Sequence, residues 1–101
     1  MSKINHALYR GIPVRHVALS KRQQLWFFET DVLSSLGLDA DVVMQIPDSW
    51  RGEINVKLAG CKTRVGVLSL YGIFSLCGRA EPRRAADFVH FLYRNGLGGG
   101  K

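Results

Sequence analysis

The clearest alternation of apolar and polar positions in the chain is Ile54, Val56 and Leu58 set against Asn55, Lys57 and Ala59. A period of two predicts a strand with one buried face. Gly60 to Lys62 reads as a tight reversal, and Thr63 to Leu68 as the returning strand with Val65 and Val67 inward. An earlier pair reads similarly. Ile12 to Leu19 alternates loosely but carries the strand formers Val14, Val17 and Leu19 after Pro13, which suits an edge; Ser20 to Gln24 is a polar, basic loop, and Leu25-Trp26-Phe27-Phe28 is dense in β-favouring residues. These two strands are expected to pair antiparallel. Three consecutive aromatics cannot share a face, so two belong in the core and one covers a helix.

Helical signals fill the remainder. Thr30 with Asp31 reads as a helix start, Val32, Leu33 and Leu36 as its apolar stripe, and Gly37 as its stop. Asp39 reads as the cap of a short helix carrying Val42, Val43 and Ile46 and ended by Pro47; residues 48 to 52 read as loop. Ser69 reads as the cap of a helix bearing Leu70, Ile73, Phe74 and Cys77, with Gly78 at its end. Pro82 suits a first helical turn, and the last helix is expected to reach about Asn95. Its inward face reads Ala85, Phe88, Val89 and Leu92; its outward stripe reads Arg83, Asp87, His90 and Arg94, with Asp87 pairing Arg83. The expected fold class is α+β: two antiparallel β-hairpins packed with about four short helices. It forms one domain over residues 1–95, followed by a disordered Gly-rich tail over 96–101.

Length agrees, since 101 residues hold a single domain. No apolar run approaches the roughly 20 residues of a membrane span, and Asn5, His6 and Arg10 stand where a signal peptide would be apolar. A soluble protein of the host-cell cytoplasm is expected. Cys61 and Cys77 are too few for a disulfide scaffold and read as small core or near-core residues. His6, His16 and His90 lie on separate elements, and neither a phosphate loop nor a nucleophile elbow is present. No enzyme activity, cofactor or metal is expected.

Charge changes the picture more. Fourteen Lys and Arg against eight Asp and Glu leave +6. Residues 1–28 hold five bases and no acid, 29–48 five acids and no base, and 49–84 seven bases and two acids. A basic surface favours anionic partners, DNA before RNA. The candidate phosphate contacts are Lys21 and Arg22 on the first loop, Arg51, Lys62 and Arg64 around the second hairpin, and Arg79, Arg83 and Arg84 between the last two helices. Lys21 and Arg22 are expected to matter most. The acids Glu29, Asp31, Asp39, Asp41 and Asp48, with Trp50, are the candidates for binding a protein instead.

The order of motifs then carries a resemblance. Trp26-Phe27, Asp31-Val32 and Leu36-Gly37 resemble the "WF, DV, LG" signature of the BRO-N domain of phage antirepressors and viral BRO proteins. Gly72-Ile73-Phe74-Ser75-Leu76 is similar to that family's "GLYRL" helix, and Pro82, Ala85 and Phe88 to its "SR-PEA-xxF" stretch, with Phe91 at a usual aromatic position. The match spans residues 9–94, with Leu68-Ser69-Leu70 where the family has a glutamate and with a short central region. The resemblance implies a small regulatory protein of phage or mobile-element type that binds DNA. The alternative is a protein that inactivates a host or phage regulator or enzyme without touching DNA. A homo-oligomer stays open.

Overall fold

The computed structural model describes residues 4–18 and 24–98. Strand β1 (Asn5–Tyr9) turns through Arg10 and Gly11, both at positive φ (50° and 85°), into β2 (Ile12–Ala18). Two left-handed residues in a row match the right-handed twist of a hairpin. β3 (Leu25–Phe28) pairs antiparallel with β2, as the sequence pattern predicts, and runs directly into helix α1 (Glu29–Leu36). Strands β4 (Arg51–Leu58) and β5 (Cys61–Leu68) form the second hairpin. Its reversal is Ala59-Gly60, one residue earlier than expected, because Ala59 accepts the left-handed conformation at φ 52°.

The two hairpins are not separate units. β5 pairs with β3 through Phe27↔Leu68 and Phe28↔Val67, making one antiparallel sheet in the order β1-β2-β3-β5-β4. β1 escapes the hydrophobic pattern because Leu8, on its outward side, is far more hydrophobic than the inward Ala7. Helices α2 (Leu70–Cys77) and α3 (Pro82–Arg94) complete an α+β domain, with 3-10 turns at Ala40–Gln45 and Asp48–Trp50.

Caps follow the sequence closely. Gly37 ends α1 at φ 70°, and the Ser69 hydroxyl accepts the N–H of Gly72 at 3.3 Å. The α1 start differs: Phe28, not Thr30, occupies the cap and offers no side-chain bond. Asp39 likewise caps its 3-10 turn without a side-chain bond. The buried side of α2 is Gly72, Ile73 and Leu76, whereas Phe74 is 39% exposed. The helix is rotated this way because Gly72 lies against the Trp50 carbonyl; a Cβ there would stand 2.9 Å from that oxygen. In α3, Phe91 joins Ala85, Phe88 and Leu92 inside, and Val89 is only half-buried. Beyond α3, Leu97 is buried and its N–H donates to the Leu92 carbonyl at 2.7 Å. Residues 99–101 of the expected tail lie outside the described residues.

Two apolar clusters share the sheet. Tyr9, Val14, Phe27 and Leu68 face the helices and meet Val32, Leu36, Ile73, Leu76, Phe88 and Leu92. On the opposite face, Val17, Phe28, Val56 and Val67 are buried, with Trp26, Ile54 and Val65 packed around them. Strand alternation thus sends Phe27 and Phe28 into different clusters. Cys77 is half-buried, but Cys61 is exposed at the hairpin turn, contrary to a core position.

His16 is buried beside Phe27 (ring centroids 5.5 Å apart), and its Nδ1 bonds the Val14 carbonyl at 3.2 Å. Burial, more than the neighbouring His6, lowers its pKa below the ordinary 6.5. The unfolded chain therefore takes up a proton that the folded protein refuses. Stability should be full above about pH 6.5 and fall as the pH drops toward the depressed folded value. Urea midpoints from neutral to mildly acid pH should fall for the wild type and flatten for His16→Phe; parallel curves would remove His16 as the cause.

Candidate nucleic-acid interface

The charged residues separate into those that hold the fold together and those left to solvent. Asp31 belongs to the first group. The β1–β2 hairpin register directs the N–H of Arg15 toward β3, but β3 pairs with β2 only as far as His16↔Phe27 before entering α1. Asp31, in the first turn of α1, replaces the missing strand partner. Its carboxylate accepts the Arg15 N–H at 2.9 Å and two guanidinium bonds at 2.9 and 3.0 Å. The same guanidinium lies 4.7 Å above the Phe28 ring. Asp31 is therefore a buried joint between sheet and helix, not part of an acidic docking face.

Arg84 has a comparable role. Its Nε donates to the Ser35 carbonyl at 2.7 Å and a terminal nitrogen donates to Ser34 at 3.2 Å. These are carbonyls at the C-terminal end of α1, where a cation is favoured. Gly37 leaves room for the guanidinium, which would lie 2.8 Å from a Cβ at that position. Arg84→Ala should lower unfolding stability by about 1 kcal/mol. A chemical denaturation curve indistinguishable from wild type would contradict this role.

Two further expectations meet in one groove of about 460 Å³, lined by Glu29, Asp48, Arg51, Gly52, Glu53, Arg64 and Gly66. Arg64 pairs with Glu53 at 2.7 Å, across the β4–β5 hairpin. Glu29 lies over Gly66, where a Cβ would come within 2.9 Å of its carboxylate. Burial pushes the Glu29 carboxyl up, Glu53 adds to this, and Arg51 opposes it. The Nε of Arg51 is buried and has no hydrogen-bond partner among the described residues. Candidate bases and candidate acids thus offset one another here. Arg51 and Arg64 share one groove of mixed charge with Glu29, Asp48 and Glu53, in place of separate basic and acidic surfaces. The mixed groove has no counterpart in the linear charge pattern, because it joins α1, β4 and β5.

Asp87 corrects another pairing. Tyr9 donates its hydroxyl to Asp87 at 2.8 Å, and Arg10 binds the same oxygen at 3.0 and 3.1 Å. The Tyr9 hydrogen bond, before the Arg10 charge, holds the Asp87 carboxyl below its usual range. The β1–β2 turn, invisible as a turn in the pattern, has taken the acid assigned to Arg83.

What remains exposed is informative. Lys62, Arg79 and Arg83 are exposed and have no ion-pair partner among the described residues. Strand alternation puts Lys62 on the same side of the sheet as Leu68 and the helices. Lys57, a polar position of the β4 alternation, stands directly across from Lys62 in the hairpin register. A turn assigned to Ala59-Gly60 would have exposed that pairing. Lys21 and Arg22 lie outside the described residues. Among the remaining acids, Asp39, Asp41 and Asp48 are exposed. Trp50 is half-buried and stacks on Tyr71 with centroids 5.9 Å apart, so Tyr71 is the aromatic that meets solvent.

The described residues contain no group of three or more His, Cys, Asp or Glu placed to hold a metal ion. No described helix is long and apolar enough to cross a membrane. Comparison with protein-family models, curated proteins and solved structures gives no match.

Proposed function

We propose that this protein is a small nucleic-acid-binding regulator of BRO-N, antirepressor type, which contacts duplex DNA phosphates through Lys62, Arg79 and Arg83 together with Lys21 and Arg22. The observation that carries this reading is the sorting of the cations. Arg15, Arg64 and Arg84 are engaged by the fold, yet Lys62, Arg79 and Arg83 keep their charge unopposed. Unpaired cations on a chain of net charge +6 supply the counterion-releasing contacts that backbone binding uses. The BRO-N resemblance lends support through the work its residues do. Asp31 joins sheet to helix, Gly37 makes room for Arg84, and Gly72 lets α2 lie against the Trp50 carbonyl.

Fluorescence anisotropy with a labelled duplex at low salt tests the reading. Saturable binding that weakens as salt rises is the expected result; no binding even at low salt overturns it. Binding to a regulator without DNA is the second reading. It draws on Asp39 and Asp41 beside Met44, which is 76% exposed. A single stoichiometric protein partner, recovered by a chain that binds no duplex, would favour it.

A further inference from the structure

β4 forms one edge of the sheet, and among the described residues no strand pairs with its outer side. The hairpin register fixes which backbone groups that edge presents. With a two-residue turn at Ala59-Gly60, Leu58↔Cys61 is the first hydrogen-bonded pair, followed by Val56↔Thr63 and Ile54↔Val65. Lys57, Asn55 and Glu53 therefore turn their N–H and C=O groups away from β5. This is a ready template for another strand.

The side chains on that edge show which strand fits. Lys57 stands opposite Lys62, a like-charge pair that costs stability in an antiparallel ladder. No acid pairs with Lys57 among the described residues, while Glu53, whose Oε1 holds Arg64 of the same hairpin and whose other oxygen has no ion-pair partner among the described residues, is four residues away on the same face. A second copy of β4, antiparallel about a two-fold axis at Asn55, places Glu53 against Lys57 of the partner subunit and Lys57 against Glu53 of the partner subunit. The neighbouring registers are worse. An axis at Ile54 sets Arg51 against a lysine, an axis at Glu53 sets two glutamates together, and an axis at Val56 leaves Lys57 facing asparagine. With the axis at Asn55, Ile54 and Val56 also face each other across the seam on the opposite side, extending the apolar cluster of Val17, Phe28 and Val67. Leu58 falls opposite Gly52, the one position on β4 without a side chain.

We infer that β4 is a self-association edge, through which two copies pair antiparallel about Asn55 into one continuous sheet. This inference is independent of the nucleic-acid reading. Sedimentation equilibrium from micromolar to sub-millimolar protein tests it. The wild type is expected to have the mass of a dimer at the upper end. Lys57→Glu alone and Glu53→Lys alone each set like charges across the seam and should weaken the dimer roughly tenfold or more. Mixed in equal amounts, these two variants complement each other at every charged position and should form a heterodimer. Asn55→Pro removes an N–H that the β4–β5 ladder does not use, so the circular dichroism spectrum should persist while the dimer is lost. A wild type that stays monomeric throughout overturns the inference. So does a mixture that stays monomeric, or a dimer that survives Asn55→Pro.

Discussion

Asp31→Ala should destabilise the protein by about 3 kcal/mol, lowering its melting temperature by roughly 15 °C for a domain of this size. Alanine removes three hydrogen-bond acceptor contacts at once. It leaves the Arg15 N–H directed at the gap where β3 departs, and the guanidinium above Phe28 without a counter-charge. The Arg15 side chain is 34% exposed, so water satisfies part of that guanidinium, and the loss belongs at the lower end for a broken buried pair. Asp31→Asn keeps an acceptor for the backbone N–H and loses the charge, so it should cost about half as much. Thermal and urea unfolding measure both. A change below about 1 kcal/mol for the alanine variant would return Asp31 to the class of exposed acids.

The largest effect on binding is expected from Lys62→Ala, Arg79→Ala and Arg83→Ala combined. Each unopposed cation that neutralises a phosphate releases close to one counterion. Three such contacts account for roughly a hundredfold in affinity near physiological salt. Arg64→Ala with Arg84→Ala removes two charges already committed to Glu53 and to the end of α1. That pair should change affinity by no more than about threefold, with a loss of stability instead. The comparison separates a surface of free cations from a response to net charge alone. Equal losses from the triple and double variants would mean that total charge, and not its placement, governs binding.

Features fixed by local chemistry were legible in the sequence. Alternation along Ile54, Val56 and Leu58 marks β4, Ser69 caps α2, Gly37 ends α1 and Pro82 opens α3. What depended on distant contacts was not. The inward side of β1 carries Ala7, too small to declare a buried face, so neither β1 nor the β1–β2 turn shows in the pattern. That turn brings Arg10 to Asp87, 77 residues away, and releases Arg83 from its assigned partner. Arg84 reaches Ser35 across 49 residues, so no spacing rule reveals its role. Asp31 looks like a helix-start acid from its neighbours alone; only the divergence of β3 from β2 makes it a joint. A run of like charges along the chain therefore did not translate into a face on the molecule.

The most direct test of the nucleic-acid reading is the slope of log binding constant against log salt, measured for the wild type and for the Lys62, Arg79 and Arg83 triple alanine variant on one duplex. If these three residues neutralise phosphates, the variant's slope is shallower by about 2.7, at close to 0.9 per contact. Parallel slopes would place the phosphate contacts elsewhere and contradict the account.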